Sequence, residues 1–216
     1  MKSFFSRFNE PFNGFSHLIG GIASAVLLVL LLDRVGHGEH THRLAFLLYG
    51  ITLIAMFLSS ATYHLTNVSE KTADILKKID HIMIFFLIAG TYTPIAAVGL
   101  SEEKGMLILS IIWGIAALGV LKKIFWINAP RWLSTLTYLG MGWIAVFIFP
   151  PLWDAFPHGF IYWISIGGLF YTVGAIIYAV KKPNPFPDVF GFHEIWHLFV
   201  MGGAFSHFWA IYNYLP

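Results

Sequence analysis

Charged residues divide the chain into seven apolar runs. Phe15 to Leu32, Leu44 to Leu65, His81 to Leu100, Gly105 to Leu121, Trp132 to about Pro150 and Phe156 to Val180 contain no Asp, Glu, Lys or Arg. The seventh, Val189 to Leu215, contains one acid, Glu194. A helix of ~20 apolar residues crosses the hydrocarbon core of a bilayer, so the pattern predicts an all-α membrane protein, a bundle of seven transmembrane helices. Nothing of comparable length is left over, and residues 1–216 read as a single seven-helix domain. The first run is read as a retained helix and not a cleaved leader. It is long, Gly and Ala interrupt it, and no small-residue cleavage site follows Leu32.

The connections between runs carry the orientation, because loops rich in Lys and Arg stay in the cytoplasm. Lys2, Arg7, Lys71, Lys77, Lys78, Lys122, Lys123, Arg131, Lys181 and Lys182 fall on one side; only Arg34, Arg43 and Lys104 fall on the other. Ten of the thirteen basic residues therefore predict a cytoplasmic amino terminus and an external carboxyl terminus. Composition agrees about the solvent: 57% hydrophobic and 11% charged residues leave too little polar surface for a water-soluble globule. The predicted location is a cell membrane, crossed several times. A formal net charge of +2, spread over short groups, argues against a nucleic-acid partner. The absence of cysteine removes disulfides, thiolate ligands and cysteine nucleophiles together.

With thiolates gone, a metal site has to be built from His, Asp, Glu or water. Residues four apart on a helix share a face at about 6 Å, and two such pairs occur: Ser60 with His64, and His193 with His197. Ionisable side chains inside membrane-length segments are costly and mark functional sites by default. The predicted topology puts His64 at the cytoplasmic end of the second run, Asp80 at the start of the third, and His193 and His197 at the start of the seventh. Three imidazoles and a carboxylate then share one level, although most of the chain separates them. Imidazole suits Zn²⁺, and three protein ligands with an open position is the arrangement of catalytic zinc. Water activated there would attack an ester or amide carbonyl, with Asp80 as general base and Ser60 as a donor to the developing oxyanion or an orienting partner of His64.

The residues Asn9-Glu10-Pro11, Ser16-His17, Ser60-Ala61-Thr62-Tyr63-His64, Asp80-His81, Ala89-Gly90-Thr91-Tyr92-Thr93-Pro94 and His193-Glu194-Ile195-Trp196-His197 resemble the hemolysin III branch of the progestin and adipoQ receptor family over nearly the whole chain. The resemblance implies a zinc site on the cytoplasmic side with His64, His193 and His197 as ligands, Asp80 holding water and Ser60 beside them. Alkaline ceramidases among the wider relatives imply a hydrolase of lipid amides or esters, acting in membrane lipid homeostasis on a lipid-derived substrate. A zinc-braced sensor or receptor-like regulator is the alternative, and the hemolysin name adds a third, a cytolysin or pore.

Other polar positions are read more plainly. His193-Glu194-x-x-His197 also matches the zincin pattern, but no further acid follows Glu194 to complete such a site, and its side chain is expected to point away from the ligand face or to accept a hydrogen bond behind it. His17 either joins the site or is an interfacial histidine. His81 and His207 are expected to be structural, and His37, His40 and His42 to lie in a solvated external loop. Pro94 is expected to kink the third helix and open space near Ala89 and Gly90, while glycines at 20 and 21, 140 and 142, 167, 168 and 174, and 202 and 203 permit close helix packing.

Overall fold

A computed structural model describes residues 7–35, 40–126, 130–187 and 189–215. Eight α-helices account for most of them: α1 (Pro11–Val35), α2 (His40–Leu65), α3 (Glu70–Gly99), α4 (Glu102–Phe125), α5 (Arg131–Trp143), α6 (Ala145–Ala155), α7 (His158–Val180) and α8 (Phe192–Tyr214). Among the described residues there is no strand, only an isolated bridge between Phe186 and Phe190. The helices close into a ring in which α1 packs on α2, α2 on α3, α3 on α4 and α5, α5 on α7, α7 on α8, and α8 back on α1. That closure brings the first and last helices together.

Six stretches are long and apolar enough to cross a membrane: α1, α2, α3, α4, Trp132–Ala155 across α5 and α6, and α7. These make the chain a multi-pass membrane protein. The eighth helix has the length, 23 residues, but is diluted by His193, Glu194, His197, Ser206, His207 and Asn213. Apolar side chains face outward along the whole ring, as lipid requires: Leu118 is 67% exposed and Phe147 83%. Polar groups turn inward instead, with Asn13, His17, Ser60, His64, Thr91, Lys123 and His197 all buried.

Three elements differ from the sequence expectation. The third helix begins at Glu70, not near His81, because Ser69 caps its first turn by accepting the Thr72 N–H at 3.4 Å and Glu70 favours the positive end of the helix dipole. Asp80 therefore lies about 15 Å along α3, not at its start. The fifth run is two helices parted at Ile144 and extending to Ala155, past Pro150. Gly140 and Gly142 weaken the helix before the break, and Pro150 and Pro151 lack the N–H groups that would satisfy Val146 and Phe147. Tyr92 takes up carbonyls at the break, its hydroxyl donating to Gly142 O at 2.7 Å and approaching Met141 O at 3.3 Å.

Pro94 gives the third difference. The helix runs unbroken through it, and the space expected beside Gly90 is filled by the Thr52 side chain of α2. The residues from Ala89 to Ala96 are all buried. Close approach is also the use of Gly20, where a Cβ would meet the Phe57 ring at 2.8 Å. Phe57 in turn touches the His17 ring edge-on, at 5.0 Å between centroids. Gly20→Val is expected to force α1 from α2 at a cost of about 1–3 kcal/mol, lowering the Tm of the purified protein. An unchanged Tm would show that α1 does not need this approach.

Candidate metal centre

The end of the bundle where α2 runs into α3 and α7 into α8 holds the candidate site. His64 occupies the last turn of α2, and His193 and His197 the first two turns of α8, where helix pitch stacks them on one face. Glu194 starts that helix, its Oε2 accepting the Gly191 N–H at 2.8 Å. One ring nitrogen from each of His64, His193 and His197 lies within 4.8 Å of the others. The rings sit 5.1 Å (His64–His193), 4.7 Å (His64–His197) and 5.0 Å (His193–His197) apart between centroids.

Burial makes this convergence chemically meaningful. His64 and His197 are each 2% exposed, and the Nδ1 atoms of both lack an aligned hydrogen-bond partner. A neutral imidazole keeps a lone pair on one ring nitrogen, and three such rings converging in a buried site call for something that binds lone pairs. A metal ion at about 2.0–2.1 Å from each nitrogen answers that need, and the residues fit one. His193 is more open, at 28% side-chain exposure, with the Tyr178 ring of α7 against it at 5.7 Å. A cavity of about 410 Å³ lined by Asn184, Phe190, Gly191 and Glu194 opens on the connection leading into α8.

Ser60 is buried one turn before His64, and Asp80 is half-buried next to it, within electrostatic reach of both His64 and His193. Four of the residues singled out in sequence, plus Ser60, thus come together from three helices. Glu194 does not point to the metal position. One of its oxygens caps α8 and the other accepts from Asn13 Nδ2 at 3.0 Å, which leaves no oxygen in the role of a zincin's glutamate. His17 is buried with its ring 3.9 Å from that of His197, but it lies outside the three-nitrogen cluster and neither of its nitrogens has a partner.

The other histidines lie apart from it. His81 offers its backbone carbonyl to the Tyr138 hydroxyl at 3.1 Å. His207 Nε2 is 3.1 Å from Ile164 O, and its ring packs on Tyr171. His40 and His42 stand at the opposite end, in the first turn of α2; His37 lies outside the described residues.

Two residues of the site were not assigned a role from sequence. Glu10 Oε2 lies 2.9 Å from His64 Nδ1 and 3.2 Å from His193 Nδ1, the first approach off the ring N–H axis. Burial pushes the Glu10 carboxyl up, but the adjacent imidazoles of His193 and His64 outweigh it and hold the group well below the usual carboxylate range. Asn13, fully buried, donates to Glu10 and Glu194, and His193 Nδ1 lies 3.3 Å from the same nitrogen. A carboxamide two residues ahead of the first apolar run was the available signal, since burying one demands partners.

An all-helical, multi-pass membrane protein with a buried imidazole cluster capable of holding a metal ion is the class that fold and site define. The chain belongs to the haemolysin-III-related family, whose model matches residues 5–208, and so to the hemolysin III branch of the progestin and adipoQ receptor family. It is 36% identical to the Hemolysin-3 homolog of Bacillus subtilis (strain 168), over 95% of this chain and 93% of that protein. It is likewise 36% identical to Hemolysin-3 of Bacillus cereus, over 95% and 91%. At 25% identity it aligns with the ADIPOR-like receptor IZH2 of Saccharomyces cerevisiae (strain ATCC 204508 / S288c), over 98% of this chain and 73% of that protein.

Proposed function

We propose that the protein is a zinc-dependent hydrolase that cleaves an amide or ester bond of a lipid-derived substrate, in the service of membrane lipid homeostasis. The observation that carries this reading is the convergence of His64, His193 and His197 within 4.8 Å, with Asp80 and Ser60 alongside. Three imidazoles without thiolates leave a coordination position open, which catalytic zinc uses and structural zinc does not. Zinc, when bound, supplies Lewis acidity that polarises a carbonyl and lowers the pKa of water. Asp80 takes the proton of the attacking water and passes it to the departing amine or alcohol. Ser60 donates to the carbonyl oxygen as negative charge develops there. The test is metal content of the detergent-purified protein together with release of fatty acid from a panel of lipid amides and esters.

In the same reading α8 is the seventh span: 23 residues extend about 34 Å, enough to cross. The Lys- and Arg-rich connections place the amino terminus and the metal site on the cytoplasmic side and the carboxyl terminus outside. A reporter fused after Pro216 is expected to be active only as an external fusion; cytoplasmic activity would reverse the topology.

A receptor-like regulator, in which zinc only braces α2, α3 and α8, is the second reading, and the name of the yeast relative favours it. It predicts bound zinc without turnover. The name Hemolysin-3 favours a third, a pore or cytolysin, which predicts liposome leak that survives loss of the histidines.

A further inference from the structure

Glu10 precedes α1, yet its side chain reaches imidazoles from two other helices. The same carboxylate oxygen, Oε2, lies 2.9 Å from His64 Nδ1 and 3.2 Å from His193 Nδ1. Its position is held from several directions. The Glu10 N–H donates to His64 O at 2.8 Å, which ties the segment before α1 to the end of α2. Asn13 Nδ2 donates to Oε2, also at 2.8 Å. One oxygen shared among three donors is reached off-axis by at least one of them, and His64 is that one.

Asn13 decides which way the His193 proton points. A carboxamide has two N–H groups, and the two carboxylates of Glu10 and Glu194 take them, at 2.8 and 3.0 Å. Asn13 Nδ2 has no third proton for His193 Nδ1, which lies 3.3 Å from it. An ionised carboxylate only accepts, so His193 Nδ1 carries a proton and gives it to Glu10. His64 Nδ1 faces the same acceptor at 2.9 Å with its N–H off-axis, and a small turn of the ring would align it. With His64 so turned, Nδ1 is protonated on both rings and Nε2 is the nitrogen with the free lone pair. A ligating histidine whose other N–H is held by a carboxylate is the arrangement by which proteins orient imidazoles on metals.

We propose that Glu10 is a positioning residue of the metal centre: by accepting Nδ1–H from both His64 and His193 it sets one tautomer on two ligands from different helices and turns both Nε2 atoms toward one ion. The inference rests on the metal-binding reading and deepens it. It makes the segment ahead of the first helix a working part of the site.

The test uses the full chain in detergent, with zinc alone as the probe. Zinc affinity is measured by chelator competition for wild type, Glu10→Ala and Glu10→Gln, alongside ¹⁵N spectra of the histidine-labelled, zinc-loaded protein. Removing an orienting partner typically costs 10–100-fold in metal affinity, and Glu10→Ala is expected to lose that much. Glu10→Gln keeps an acceptor oxygen and should lose less. The wild-type spectrum should show two histidines bound through Nε2 with protons on Nδ1. Zinc affinity of Glu10→Ala within twofold of wild type, or His64 or His193 bound through Nδ1, would overturn the proposal. So would a lower coordination number in the zinc X-ray absorption of Glu10→Gln, which would make Glu10 a direct ligand. Should Glu10→Ala fail to fold, the wild-type nitrogen spectrum and Glu10→Gln decide the matter. Wild type without stoichiometric zinc is a different failure: it removes the metal reading itself.

Discussion

Protein purified with His64 replaced by Ala is expected to lack the metal that wild type is expected to carry at about one zinc per chain. Among the described residues α8 offers two candidate ligands from adjacent turns, and α2 offers the third within 4.8 Å. Two imidazoles on one helix face are a common, weak metal grip; the third closes the set. The loss should exceed the roughly 10–100-fold that removal of an orienting partner costs, enough to strip the ion during purification. His197→Ala should do the same. The helices themselves should survive, because neither His64 nor His197 has an aligned hydrogen bond at Nδ1 to lose and the Glu10 N–H bonds to the backbone carbonyl at position 64, which Ala keeps. Elemental analysis by mass spectrometry is the direct check. Stoichiometric zinc retained in His64→Ala would mean that α2 and α8 do not share an ion, and wild type without zinc would end the hydrolase mechanism.

The second large effect separates chemistry from binding. Asp80→Asn is expected to retain about one zinc and to lose lipid hydrolysis by roughly 10²–10⁴-fold, the usual contribution of a positioned general base. That factor corresponds to about 2.7–5.4 kcal/mol of barrier. Asp80 stands by Ser60 and within electrostatic reach of two of the candidate ligands, but it lies outside the group of mutually close nitrogens, which is why metal retention is expected. Asn keeps the volume and an acceptor oxygen and cannot take a proton. If metal is lost together with turnover, Asp80 is a ligand or a structural prop. If both are unchanged, the general base is elsewhere, and a zinc-braced regulator becomes the better reading.

The difference between Glu194 and Glu10 shows what local pattern can and cannot carry. Glu194 sits between the two histidines of α8 in a pattern that suggests water activation, and the fold spends it on the helix start and on Asn13. Glu10 sits in no metal-binding pattern of its own, and the fold brings it within 3.2 Å of two candidate ligands. Sequence spacing reports what one helix does to its neighbours three and four residues away. It is silent about what a turn at one end of the chain meets when the ring of helices closes.

The break between α5 and α6 and the early start of α3 follow the same division. Ser69 and Glu70 are legible as a helix start, but the charged stretch Lys71 to Lys78 hides the continuity of α3 from a reading based on apolar runs. Gly140, Gly142 and the two prolines mark a weak helix; that it parts at Ile144 is tied to Tyr92, a residue of α3 that reaches the carbonyls of Met141 and Gly142.

By itself, then, the sequence determined the solvent, the helical class, the approximate extent of the apolar segments and the pairing of Ser60 with His64 and of His193 with His197. All of these depend on composition or on the pitch of a single helix, which are local properties. Only the tertiary structure decided how closely the imidazoles of α2 and α8 approach, that Glu10 and Asn13 lie against them, that His17 stacks on His197 without joining the cluster, and that Thr52 closes the space beside Gly90. Those facts follow from packing between helices distant in the chain, where shape and the need to satisfy buried polar groups fix the neighbours and no periodicity records them.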